Sequence, residues 1–304
     1  MPNLASARYG KDNVRVCKVQ RDEKTGFHTV TEMTVSCLLE GQIETSYTAA
    51  DNSVVVATDS IKNTIYIKAK EHPVNPPELY ASLLGQHFLD KYPHISTAHV
   101  NLAVHRWTRL EVDGAPHPHS FYRDGQETRN VEVAVSRGPG GIRIKSSIVG
   151  LSVFKSTGSA FHGFVRDEYT TLPETWDRIL STDVDCSWTW KPFDTVEAVQ
   201  QRVERFDKAW ESARGIILRL FAVEESPSVQ NTMYKMSEQI LEAVPEVDRV
   251  DFALPNKHYF ELDLSWHKGI KNTGKDAEVY VPQSGPNGLI KCEVARDETT
   301  LAHR

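Results

Sequence analysis

Six places in the sequence carry side chains suited to chemistry on a flat, ionisable ligand. Lys11, in YGKDNVRV, lies just before an apolar strand, where burial would favour the neutral amine and make it a proton acceptor; a solvated surface lysine is the ordinary alternative. His258, in PNKHYFELDL, shares strand parity with Phe260 and Leu262, which sets it facing inward beside Asn256. A lone inward histidine is more often a hydrogen-bonded core residue. Arg178, in WDRILSTDVD, offers a planar fork for a flat anion, a geometry lysine cannot reproduce; the competing use is a salt bridge to Asp177 or Asp183. Phe161, in STGSAFHGF, presents a ring to stack on an aromatic ligand or simply to pack. Thr58 stands at one helix start, and Val229 with Gln230 lies in the first turn of another. Unpaired N–H groups and partial positive charge at such ends suit anions, although capping residues occur there for structural reasons too.

Other chemistries gain less support. His99, His105, His117 and His119 invite a metal reading, but Pro118 disfavours a regular strand between the last two, and no HExxH or cysteine pair completes a site. There is no GxSxG elbow, GxGxxG turn or P-loop. Cys17, Cys37, Cys186 and Cys292 are too widely spaced for a zinc knuckle and read as reduced packing residues. Lys plus Arg number 35 against 41 Asp plus Glu, so nothing in the net charge of -6 favours a nucleic-acid partner. The longest apolar run, Ile216 to Val223, is broken by Arg219, so no membrane span is expected. The N-terminal stretch lacks the apolar core of a secretory signal, and an intracellular protein is expected.

The elements that must position these residues follow from hydrophobic period. Thr29 to Gly41 sets Met33, Val35, Cys37 and Leu39 on one side and Thr34, Ser36 and Leu38 on the other, a half-buried strand. Val14 to Val19 forms its hairpin partner across the DEKTG turn. A helix starts near Asp59 with Ile61, Ile65 and Ala69 on its apolar side. A second has Asn75 as cap, Pro76 in its first turn and Leu79, Leu83 and Phe88 on its apolar side, ending near Tyr92. Val100 to Val104 and a segment containing Phe121 complete a strand, strand, helix, helix, strand, strand order.

GPGG at 138 to 141 marks the boundary between residues 1–137 and 138–304, and the second half repeats the order. Its strands are expected at Ile142 to Phe154, Ile179 to Trp190, Val250 to Leu264 and Leu289 to Val294. Its helices are a long pattern from Val196 to Leu220, with Gly215 as a candidate break, and one opened by Ser226 and Pro227. Matching halves of antiparallel strands with paired helices on one face indicate an α+β tandem repeat, not a doubly wound parallel sheet.

Taken together, YGKDNVRV, ETSYTAADNSVVVATDSIKNTIY, HRWTR, RDEYTTLPETWDRILSTDVD, SPSVQ and LPNKHYFELDLSWHKG resemble urate oxidase (uricase), particularly its fungal members, from Tyr9 to Cys292. The resemblance implies tandem tunnelling-fold (T-fold) domains, each an antiparallel sheet with two helices on one face, assembled as a homotetrameric barrel with active sites at subunit interfaces. It implies oxidation of urate by dioxygen and water to 5-hydroxyisourate and hydrogen peroxide, with no metal or organic cofactor. By motif position, Arg178, Gln230 and the Val229 N–H clamp the urate edge, Phe161 stacks on its face, and Lys11, Thr58 and His258 relay protons. Asn256 and Thr58 hold dioxygen or water above the ring; Thr58 and Asp59 reach the ligand from a neighbouring subunit, and Ile290 adds to the pocket wall. The rival within this fold is an enzyme acting on a pterin-like ring through histidine-bound zinc. Two features depart from the family pattern: His162 follows Phe161 where a larger aromatic is expected, and the chain ends in LAHR without an SKL-type signal, although peroxide production suits a peroxisome.

Overall fold

The computed structural model describes residues 3–296, and the terminal LAHR lies outside them. The first half comprises β1 (Tyr9–Arg21), β2 (His28–Gly41), a short α1 (Glu44–Thr48), α2 (Thr58–Glu71), α3 (Pro77–Lys91), β3 (Ile95–His105), β4 (Thr108–Val112), β5 (Ala115–Tyr122) and β6 (Thr128–Ser136). The second comprises β7 (Ile142–Lys155), β8 (Leu180–Trp190), a short α4 (Val196–Gln200), α5 (Val203–Val223), α6 (Val229–Ala243), β9 (Val247–Lys257), β10 (Tyr259–Glu261), β11 (Tyr280–Pro282) and β12 (Gly288–Ala295).

Eight strands form one antiparallel sheet in the order β1-β2-β3-β6-β7-β8-β9-β12. Alternation in β2 sends Met33, Val35, Cys37 and Leu39 to one face, all at 0% exposure, while Thr34, Ser36 and Leu38 stay half-buried on the other. The long helices cover the buried face: α2 packs on β1, α3 on β3 and β6, α5 on β7, and α6 on β9 and β12. Gly138–Gly141 turns β6 into β7 within this sheet, closed by Ser136 N–H donating to Gly141 O at 2.7 Å. One hydrophobic core runs under both halves.

Charge crosses the same junction. Glu78 of α3, at 0% exposure, accepts from Arg129 of β6 at 2.8 Å and from the Ser146 hydroxyl of β7 at 2.7 Å. Arg129 reaches Asp207 of α5 at 2.6 Å, and Trp190 Nε1 donates to Ser146 at 3.0 Å. A carboxylate so deep is tolerated because each neighbour neutralises or hydrogen-bonds it.

Several boundaries differ from the sequence reading. The fourth sheet strand of the first half is β6; the Phe121 segment is β5, paired with β4 as a separate hairpin, and β5 accommodates Pro118. The long helical pattern breaks at Gln201–Arg202, between α4 and α5, while Gly215 continues the helix. Pro76 replaces Asn75 as the α3 cap, and Ser228 caps α6 through the Asn231 N–H. Cys37 and Cys186 are buried as expected, Cys292 is half-buried, and Cys17 is exposed because its side of β1 faces away from the helices.

Candidate active site

The expected residues gather in two groups at opposite ends of the sheet. The first is built on a defect in β1. Lys11 pairs with Cys37 and Val14 with Val35, so Asp12 and Asn13 together oppose Ser36. Such a two-against-one bulge reverses strand parity. Without it Lys11 would face away from Val14; with it Lys11 joins Val14 and Cys37 on the helix-covered side. Asn13 absorbs the distortion at φ 56°, a region asparagine tolerates. Gly10 allows the close pairing, since a Cβ there would stand 1.9 Å from Cys37 O.

Lys11 thereby approaches the start of α2. Asp59 sits below its ordinary carboxyl pKa, chiefly because Lys62 hydrogen-bonds it and in smaller part because the Lys11 charge reaches it. Thr58 is the first helical residue; Ala57 occupies the cap and no side chain caps this end. The ordinary capping role considered for Thr58 is therefore not its role, and its exposed hydroxyl stands at the positive end of the helix.

The second group is assembled by the long β7–β8 connection, residues 156–179, together with α6 and β9. Phe161 and Thr175 form a two-bond antiparallel bridge at 2.8 and 3.0 Å. The Arg178 guanidinium carbon lies 5.3 Å from the Phe161 ring centroid, and Phe164 stacks on the same ring at 4.9 Å. Neither acid considered as an Arg178 partner serves it. Asp177 accepts from Thr157 Oγ1 at 2.6 Å and Gly158 N at 2.8 Å, while Asp183 accepts from Lys257 at 2.7 Å and from Ser152. Arg178 Nε is buried without a hydrogen-bond partner, and desolvation pulls the guanidinium pKa down.

Arg178, Asn256 and His258 line one cavity of about 330 Å³ with Leu172, Thr175 and Tyr259. Asn256 is 8% exposed and sits in register between Thr182 of β8 and Gly288 of β12. A Cβ on Gly288 would lie 3.7 Å from Ile290 Cδ1, so Ile290 borders the space that glycine leaves. Val229 is buried and Gln230 exposed in the first turn of α6, where backbone N–H groups have no intrahelical acceptor. The inward setting expected for His258 needs correction: β9 ends at Lys257, and Phe260 and Leu262, at 57% and 41% exposure, do not enter the core. His258 instead stacks on Phe260 at 6.1 Å, in the excursion that follows the strand.

The two groups do not meet within one chain. From β1 to β9 there are six inter-strand steps, roughly 29 Å along the sheet. Each group is an incomplete site: one holds an amine, a hydroxyl and a helix start, the other a charged fork, an aromatic platform, an amide and an imidazole. Sequence reasoning missed the bulge that aims Lys11 and the role of Asp177 in leaving Arg178 unpaired; the DN pair at 12–13 was the only available signal for the former. As for the histidines, His99 contacts Glu40 at 3.1 Å, His105 contacts Thr34 at 2.8 Å, and His117 and His119 pack edge to face with ring centroids 4.6 Å apart. Among the described residues no group of three or more metal-ligating side chains forms. No helix is long and apolar enough to cross a membrane.

Comparison with known proteins gives a consistent result. The family described as Uricase matches residues 7–134 and 144–291. The chain is 67% identical over 296 residues to a uricase of Emericella nidulans, covering 97% of this chain and 98% of that one. It is 64% identical to a uricase of Aspergillus flavus with the same coverage of 97% and 98%. Its structure resembles the crystal structure of the uricase from Arthrobacter globiformis with a TM-score of 0.87 at 35% identity, covering 100% of this chain and 98% of that one.

Proposed function

This chain belongs to the uricase family, and we propose that its two half-sites, brought together from two copies, oxidise urate with dioxygen and water to 5-hydroxyisourate and hydrogen peroxide. The observation that carries the reading is Arg178: a desolvated guanidinium with an orphaned Nε, no carboxylate partner among the described residues, and an aromatic ring beside it. A flat organic anion satisfies all of these at once. Gln230 and the Val229 N–H extend the clamp along the ring edge, and Phe161 supports its face.

The chemistry needs little beyond positioning, electrostatics and proton transfer. Urate gives up two electrons, dioxygen takes them with two protons to become peroxide, and water supplies the oxygen retained on the ring. Singlet-to-triplet reactions are slow, which is why many oxidases use a metal or flavin. An electron-rich urate anion circumvents this by single-electron donation to dioxygen, so the reading assigns no cofactor. The protein's tasks are to favour the anion, to hold dioxygen and then water over the ring between Asn256 and Thr58, and to move protons through Lys11, Thr58 and His258. Asp59 accompanies Thr58 at the helix start, and Ile290 walls the pocket.

Separation of the half-sites supports a partner subunit that supplies Lys11, Thr58 and Asp59 to the Arg178 cavity, within the homotetramer the family resemblance implies. Open edges at β1 and β12 are compatible with further strand-side association. The test is complementation. At limiting urate, Lys11→Met and Arg178→Ala chains are each expected to retain little activity alone, the first through lost turnover and the second through weakened binding. Co-expressed, a mixed isologous interface restores one intact site of two, giving about a quarter of native activity for random pairing. Mixed oligomers with no regained urate-dependent oxygen uptake would refute the shared site. A peroxide product also motivates peroxisomal residence; cell fractionation that leaves the protein wholly cytosolic would contradict it.

A further inference from the structure

The Phe161–Arg178 region is a ribbon with two unlike faces. Residues 161 and 175 are cross-strand partners, so the adjacent 162 and 176 take the other face, and the bend at 176–177 brings Arg178 round to Phe161. Phe161 lies beside Arg178 on one face. On the other, the rings of His162 and Trp176 stack at 5.4 Å with an interplanar angle of 17°. Both residues are exposed, Trp176 at 69%, so burial in the core does not explain the pairing. The other ties are the two Phe161–Thr175 backbone bonds, the Ser159–Ser226 bridge through Ala160 N–H to Ser226 O at 2.8 Å and Ser226 N–H to Gly158 O at 2.9 Å, Thr175 Oγ1 donating to Asp177 O at 2.7 Å, Gly163 N–H donating to Glu174 at 2.9 Å, and Asp177 holding Thr157 and Gly158. Gly158 and Gly163 flank the Phe161 segment at φ 77° and 72°, conformations that leave it little stiffness of its own.

We propose that the His162–Trp176 stack is a positioning pair that fixes the spacing between the Phe161 platform and the Arg178 fork. It touches the ligand with neither ring. Its effect is transmitted through the backbone, one residue from Phe161 at 162 and two residues from Arg178 at 176. Because Phe161 and Arg178 hold the ring before any electron moves, loosening the ribbon weakens urate capture more than turnover. This inference rests on the assignment of Phe161 and Arg178 as the urate-binding groups.

Steady-state kinetics on Trp176→Ala, His162→Ala, the double variant and Trp176→Phe tests it, with Arg178→Ala measured in parallel. An aromatic pair is worth about 3- to 10-fold, so each single alanine variant should raise KM for urate by about that factor, with kcat changed less than about 2-fold. The double variant should raise KM no further than either single variant, and Trp176→Phe should restore it, since a flat ring suffices to stack. Oligomeric mass and circular dichroism identify variants that fail to assemble; should Trp176→Ala fail, His162→Ala decides the outcome. Unchanged KM, additive effects in the double variant, or equal loss in kcat and KM without rescue by phenylalanine would each overturn the pair. If Arg178→Ala raises KM while the stack variants do not, the pair alone is wrong. If Arg178→Ala leaves KM native, the binding assignment beneath it is wrong.

Discussion

Replacing Arg178 by alanine separates a ligand-binding arginine from a structural one. Removing one partner of a buried charged pair costs ~2–5 kcal/mol. Arg178 is only partly enclosed and its cavity is open on one side, so the lower part of that range applies, ~2–3 kcal/mol, or an urate affinity reduced about 30- to 150-fold. The unliganded protein should behave differently. A buried donor without an acceptor costs ~1–3 kcal/mol, and that penalty disappears with the side chain, whereas the lost contact with Phe161 is worth ~0.5–1 kcal/mol. The variant should therefore melt no earlier than the native protein when urate is absent. Both quantities are measurable without turnover, by titration calorimetry and thermal unfolding under argon. Native urate affinity would refute the clamp, and so would a clear loss of unliganded stability with binding intact, because that pairing of results belongs to a residue that holds the fold.

Lys11→Met should lower kcat by ~10²- to 10⁴-fold, the usual contribution of an acid–base group, with urate affinity nearly unchanged; equal losses in anaerobic binding and turnover would contradict its role in proton transfer. Arg129→Met leaves Glu78, at 0% exposure, with one neutral partner, and should destabilise the protein by ~3–5 kcal/mol in urea unfolding; Glu78→Gln in the same chain should recover part of that loss. Burial is the largest cause lowering the pKa of both His87 and His105 from 6.5. Between the folded and unfolded values the unfolded chain binds more protons, so their contribution is complete above about pH 6.5 and is lost as pH falls through the folded values. The double variant His87→Gln, His105→Gln should show a shallower decline in melting temperature below pH 6.5; an unchanged decline would remove these groups as its cause.

Much of this molecule was legible as pattern. The period-two run from Thr29 to Gly41 determined a strand with one buried side, and apolar spacing identified α2, α3, α5 and α6, because an alternating or helical stripe has few other ways to leave water. Motif resemblance identified the family and its candidate residues. Local signals were weaker where a position depends on a distant neighbour. Asn75 has the chemistry of a cap, but the chain enters α3 one residue later; Phe121 has strand character, but the sheet recruits β6 and leaves that segment in a hairpin.

The site depended most on tertiary structure. Sequence named Lys11, Thr58, Asp59, Phe161, Arg178, Asn256 and His258, and the family resemblance assigned them to one ligand, but neither said how the fold would hold them. The β1 bulge turns Lys11 toward α2, the hydrogen bonds made by Asp177 and Asp183 leave Arg178 unpaired, and strand order sets the two groups at opposite ends of one sheet. Residue type and spacing determine what each side chain is able to do. Which side chains act together is decided by register and pairing between segments far apart in the chain, and those are settled only when the sheet forms.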